Sequence, residues 1–420
     1  MRMAARIIMG MGLVLTGAIG LVTPALAQPQ SALDECAALA AGPFEPGYED
    51  IGVDVVDMDT QAAIEACSDA LDETPDSIAA KAWLGRAYYA ASYDSEAEPL
   101  LQEASQAGNP LAMTLYATVL NSRAELRGES YRVKAAELLQ KASDQGYAPA
   151  MNDLGFAYDM GNGVEQSYEQ AVHYYRASAE AGYPRAQANL GLMYLGGYGV
   201  EADPEAARQW FELSAAQNDT LGQVNFAQVL QDGVGGPVDL PRAAKLFRIA
   251  ADAGDQYGQN GYGLVLEEGM GVPANPARAA DYYAMAADQG LVIAKYNLAL
   301  LYEDGRGVEQ NLEMALDLYR EAAQAGNMSS AVNLGRMYLE GDGTEVDYAE
   351  GRYWTQVAAD AEEPIGLYNL GYIHEMGLGV DVNFEKARDY YQQSADLGYQ
   401  PAVESLEIIA PQLAPPPKKK

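Results

Sequence analysis

Residues 369–380 read NLGYIHEMGLGV, and the same frame returns upstream at a fixed distance. Thirty-six residues earlier stands NLGRMYLEGDGT (333–344), then NLALLYEDGRGV (297–308), GYGLVLEEGMGV (261–272), NFAQVLQDGVGG (225–236), NLGLMYLGGYGV (189–200) and DLGFAYDMGNGV (153–164). Seven copies in register, without an insertion, define a repeat array. One column holds only small residues: Gly155, Gly191, Ala227, Gly263, Ala299, Gly335 and Gly371.

The punctuation of each copy predicts a helical hairpin. A first helix, A, ends at a G-x-G pair such as Gly269/Gly271 or Gly377/Gly379. Glycine at a helix end relieves the steric cost of left-handed backbone angles. Four residues past the second glycine stand Ser167, Asp203, Asp239, Asn275, Asn311, Asp347 and Asn383. Each has a short side-chain oxygen that caps a second helix, B, and Pro204 and Pro276 follow at its first position. Within helix B a column is alanine in all seven copies, from Ala179 and Ala215 to Ala359 and Ala395. A position held to methyl size implies a close helix crossing, where added volume costs roughly 1–3 kcal/mol.

The ends depart from the pattern. Residues 77–147 read as two irregular hairpins before the seven regular repeats at 148–399, and PAVESLEIIA predicts a capping helix at 400–410. The stretch 411–420 reads as a disordered Pro/Lys tail. At the front, Arg2 and Arg6, the apolar run IIMGMGLVLTGAIGLV and the small residues ending at Ala27 predict a signal peptide over 1–27. An uncleaved anchor is the rival reading, since the run nearly reaches spanning length. After cleavage no second such run follows, so no membrane insertion is expected. Residues 28–76 are expected to form a helical cap holding Cys36 and Cys67, the two cysteines of the chain. One pair in an exported protein predicts one disulfide, worth roughly 3–4 kcal/mol for a loop of this size.

A net charge of −34 repels nucleic-acid phosphate and anionic lipid, so neither is an expected partner. An apolar content of 49% excludes a disordered chain.

The frame A-x-x-x-N-L-G-x-x-Y-x-x-G-x-G-V … A-x-x-x-Y-x-x-A-A-x-x-G resembles the Sel-one-like repeat (SLR), a relative of the tetratricopeptide repeat. The likeness covers 148–398, with a tetratricopeptide-like likeness back to residue 79. It implies an all-α fold: a right-handed α/α superhelix, or solenoid, of 36-residue hairpins whose A helices line a concave groove. It also implies a non-enzymatic adaptor in the periplasm, in envelope sensing or a cell-wall process, with secretion toward a host as an alternative. A cysteine-rich branch of the family is associated with penicillin binding or hydrolysis. The regular copies here contain no cysteine, so that enzyme reading is the lesser alternative.

His374-Glu375 begins an HExxH zinc signature, but Leu378 stands where the second histidine belongs. His374 shares its column with Tyr158, Tyr194, Tyr302 and Tyr338 and reads as a packed substitute for tyrosine. The glycine pairs lie between helices and lack a Walker lysine, so no phosphate loop is expected. No catalytic residue, metal or cofactor is therefore predicted.

The candidate contact residues lie on helix A. Asn189, Asn225, Asn297, Asn333 and Asn369 share one column, opened by Asp153 and interrupted by Gly261. Such a ladder either pairs with the backbone of an extended ligand or bonds a neighbouring helix to fix the stack. Beside it lie acids, among them Asp159, Asp232, Glu267, Glu268, Glu303, Asp304, Glu340 and Glu375, interleaved with Tyr296, Tyr368 and Tyr372. The expected partner is a basic or neutral extended segment of a protein or peptide with an apolar anchor. Arg336 is the exception and is expected to mark one subsite for an acidic group.

Overall fold

The computed structural model describes residues 31–413, which form twenty-one α-helices and one short 3-10 turn. The signal-peptide segment and the last seven residues lie outside the described residues. Two compact units divide the chain after Leu126.

In the first unit, α1 (Ala32–Ala40) and α2 (Thr60–Glu73) are joined by the Cys36–Cys67 disulfide, both of whose residues are fully buried. The helices α3 (Ile78–Ala90), α4 (Asp94–Gln106) and α5 (Pro110–Arg127) follow. The loop between α1 and α2 is fixed by two buried charges, Arg86 on α3 and Glu45 in the loop itself. Arg86 on α3 donates to the carbonyls of Ala40 (3.0 Å), Ala41 (2.9 Å) and Val53 (2.7 Å). Glu45 accepts from the Trp83 indole at 2.7 Å and from the Gly42 amide at 3.2 Å. Buried charges need such partners, and here backbone groups and the Trp83 indole supply them.

The second unit starts with α6 (Glu129–Ser143) and continues as seven hairpins. Their A helices are α7 (Ala148–Met160), α9 (Pro184–Gly196), α11 (Thr220–Asp232), α13 (Gln256–Glu268), α15 (Val292–Asp304), α17 (Met328–Glu340) and α19 (Pro364–Met376). Their B helices are α8 (Tyr168–Glu180), α10 (Pro204–Ala216), α12 (Leu240–Asp252), α14 (Pro276–Asp288), α16 (Leu312–Gln324), α18 (Tyr348–Asp360) and α20 (Phe384–Asp396). The closing helix, α21 (Gln400–Leu413), runs three residues past the expected end at 410, with Pro411 in its last turn. The fold is the all-α superhelix of stacked hairpins that the repeat predicted.

The local chemistry acts where the sequence puts it. All seven predicted caps accept a backbone N–H at the start of their B helix. The glycine closing each A helix, such as Gly269 at φ +72°, is left-handed. In four repeats the small residue, Gly155, Gly191, Gly263 or Gly371, lies against a helix B ring, and Gly335 lies against the Thr355 hydroxyl. A Cβ on Gly263 would stand 2.6 Å from the Tyr283 ring, and one on Gly371 would stand 2.5 Å from that of Tyr391. Tyr175, Phe211, Tyr283, Tyr319 and Tyr391 are all essentially buried and form the spine of the core. Consecutive A helices touch, α7 with α9, α9 with α11 and α11 with α13, which makes the A layer the inner one of this unit.

Candidate interaction face

The A helices leave one face uncovered. Counting from the small-residue column, the next position holds Phe156, Leu192, Gln228, Leu264, Leu300, Arg336 and Tyr372. Phe156 is 49% exposed and Tyr372 is 43% exposed. One turn further on, the last residue of each A helix is exposed in every repeat: Met160, Gly196, Asp232, Glu268, Asp304, Glu340 and Met376. The two positions touch along the helix, as Gln228 donating to Asp232 at 2.7 Å and Arg336 donating to Glu340 at 2.9 Å show.

The asparagine column borders this face and is half-buried throughout. Asn189 donates to Asn152 on the preceding A helix at 2.9 Å, and Asn297 donates to Asn260 at 3.0 Å. Asn225 bonds the Leu221 carbonyl of its own helix, and Asn333 bonds the Tyr319 hydroxyl. Asn369 is half-buried on α19. The bonds of Asn189 and Asn297 tie adjacent A helices together. The gap at Gly261 has a steric cause, since a Cβ there would meet the Phe247 ring at 2.4 Å. The first member, Asp153, has its carboxyl pushed up to about 6; desolvation raises it, and the Asn152 hydrogen bond opposes the shift.

The acids divide into two columns that the sequence presented as one. Glu267, Glu303 and Glu375 accept the hydroxyls of Tyr283 (2.7 Å), Tyr319 (2.7 Å) and Tyr391 (2.6 Å) on the B helix of the same hairpin. Asp159 does the same with Tyr175 at a longer 3.5 Å. Burial first, then the neighbouring carboxylate, drives all four phenol pKa values upward. The neighbouring residues Glu268, Asp304 and Glu340 point to solvent instead. A signal for this pairing exists in the sequence and was missed. Wherever the helix B residue is tyrosine, the residue sixteen before it is an acid. Where it is Phe211, Phe247 or Thr355, that residue is Leu195, Gln231 or Leu339. A buried hydroxyl needs an acceptor and a phenyl ring does not.

Arg336 is not an open subsite for an acidic group. Its guanidinium donates to Glu340, to Asp342 at 3.0 Å and to Glu303, so three carboxylates already surround it. With acids outnumbering bases more than twofold, an arginine on this face finds partners within the chain. Tyr368 packs its ring 5.4 Å from Tyr391 and 5.3 Å from Tyr399, and Tyr296 lies 6.0 Å from Tyr319. Of the three expected tyrosines, Tyr372 is the one that is exposed.

His374 stacks on Tyr390 at 5.7 Å and 6°, as Tyr158 stacks on Tyr174 at 5.6 Å and 7°. Desolvation, then Lys386 and Arg352, lowers its pKa. It thus takes the structural place of a tyrosine. Among the described residues no helix is long and apolar enough to cross a membrane.

A family model described as the Sel1 repeat matches residues 131–147, 148–183, 184–219, 221–255, 256–291, 292–327, 329–362 and 364–399. It therefore reaches back into the stretch read as irregular. No curated protein sequence matches the chain. Among solved structures, a Sel1 repeat protein from Oxalobacter formigenes is 24% identical, covering 74% of this chain and 89% of that one, with a TM-score of 0.52. A protective antigen of uropathogenic Escherichia coli with an SLR fold is also 24% identical, covering 85% of both chains, with a TM-score of 0.48.

Proposed function

Because the chain belongs to the Sel1 repeat family, whose members mediate protein–protein interaction, we propose that it is a non-enzymatic scaffold that holds an extended segment of a partner protein on the exposed A face. The observation that carries this reading is the recurrence of solvent-facing positions along the A helices: the last residue is exposed in seven successive repeats, and the residue one turn before it in five of them. An extended chain is the ligand that such a ladder suits, since it offers the same groups at regular intervals. The place of action proposed is the periplasm, in support of an envelope sensor or a cell-wall process. The predicted signal peptide and the disulfide between Cys36 and Cys67, which suits an oxidising compartment, support that location.

A photo-crosslinking residue placed at Leu264, on the A face, tests the reading against one at Leu213, which is 50% exposed on helix B of the second repeat. Expressed in cells, the Leu264 probe should yield a discrete partner adduct and the Leu213 probe should not. An adduct formed from position 213 alone would move the contact to the B helices and overturn the assignment.

A further inference from the structure

The A face is not uniform along the array. Its first and last repeats each carry an exposed apolar pair one helical turn apart, Phe156 with Met160 and Tyr372 with Met376. Between them, four consecutive repeats end their A helix on an exposed carboxylate: Asp232, Glu268, Asp304 and Glu340. That placement runs against the helix itself. The last turn carries the negative end of the dipole and favours a cation there. Arg306 and Arg336 reach Asp304 and Glu340, but each also pairs with a second carboxylate, Glu267 or Glu303, so the strip stays negative.

The repeat spacing sets what can lie along this strip. Packed neighbouring helices are about 8–10 Å apart; α7, α9, α11 and α13 touch in succession, and Asn297 and Arg336 bond α15 to α13 and α17 to α15. A polyproline-II chain has 3 residues per turn at about 3.1 Å each, so it returns the same side every ~9 Å. One turn of such a ligand matches one repeat. Six repeat steps from Phe156 to Tyr372 then correspond to about 18 ligand residues.

We propose that the A face takes a single polyproline-II-like segment with an aromatic or aliphatic residue near each end and lysine or arginine at every third position between. The four central cations would meet Asp232, Glu268, Asp304 and Glu340 in turn, and the end groups would cover Phe156–Met160 and Tyr372–Met376. The inference rests on the A face being the docking surface and adds the chemistry of the occupant. An acidic segment in the same register would meet four like charges.

Three synthetic peptides of about 18 residues test it, identical except for lysine, glutamine or glutamate at the third positions. Fluorescence anisotropy on the full chain should rank them lysine, glutamine, glutamate. The lysine peptide should bind at least ~10-fold tighter than the glutamine one at about 50 mM salt, with the gap closing near 300 mM. The variant Asp232→Asn, Glu268→Gln, Asp304→Asn, Glu340→Gln should abolish the gap while its thermal midpoint holds or rises, because the acids oppose the helix ends. Phe156→Ser with Tyr372→Ser should weaken both peptides and leave the salt dependence unchanged. Equal binding of the lysine and glutamine peptides, lost together in the serine variant, would overturn the basic occupant and keep the docking face. Tight binding of the glutamate peptide would also overturn it, and failure of all three peptides to bind would overturn the face as well.

Discussion

Substituting two glycines of the same array tests whether repeats are clasped by backbone contact. Gly254 follows α12 at φ +87° with nothing within 4 Å of a built Cβ. Gly254→Ala therefore adds conformational strain alone, about 1–2 kcal/mol for a left-handed position. Gly271, at φ +75°, closes the turn after α13 and lies against the first residues of α12 in the preceding repeat. A Cβ there would stand 2.4 Å from the Leu240 carbonyl carbon and 2.6 Å from the Pro241 nitrogen. Contacts of this kind are comfortable at about 3.5–4.0 Å, so more than ~1 Å of overlap must be relieved. The obstacle is backbone, pinned by the Asp239 cap, and cannot rotate aside. Gly271→Ala should then cost the same strain plus about 1–3 kcal/mol of overpacking, about 2–5 kcal/mol in all. Urea titration followed by circular dichroism gives the total. Hydrogen exchange should place the loss at α12–α14, because neighbouring repeats open locally in such arrays. Equal losses for the two variants would refute the idea that the turn clasps the repeat before it.

Two further predictions follow from positions where one repeat departs from its neighbours. Gln187 and Gln259 each have Oε1 satisfied by the amide of Gln217 or Gln289, both at 2.8 Å, whereas the buried Oε1 of Gln223 has no partner and the matching position is the exposed Ala253. Ala253→Gln should stabilise the protein by about 0.5–1.5 kcal/mol in urea titration, and a gain that survives Gln223→Leu would refute the pairing. Asp153 holds an acid where five other repeats hold asparagine, with its pKa raised from 3.8 to about 6. A raised carboxyl pKa gives stability that is complete below pH 3.8 and lost as pH rises through about 6. Asp153→Asn should therefore raise the unfolding free energy near pH 8 by at most about 3 kcal/mol and change it little near pH 4. A variant whose advantage does not depend on pH would contradict burial of the charge.

Much of this protein can be read from one frame of residues. The 36-residue period, the G-x-G stops and the capping column from Ser167 to Asn383 are local instructions, each set by backbone angles and by N–H groups within a few residues. Repeated seven times, they leave stacked hairpins as the way to bury the aromatic spine, so the fold class, the capped starts of the B helices, the glycine ends of the A helices and the disulfide were legible. Tertiary structure decided the facing of individual side chains. Glu303 and Asp304 are adjacent in sequence, yet one accepts the Tyr319 hydroxyl and the other points to water. Asn297 finds Asn260 thirty-seven residues away, and Arg336 is enclosed by carboxylates from its own helix, the following turn and the preceding A helix. A helical period tells which residues share a face. The partner each takes depends on the register between helices far apart in the chain, and that register is set only when the core packs.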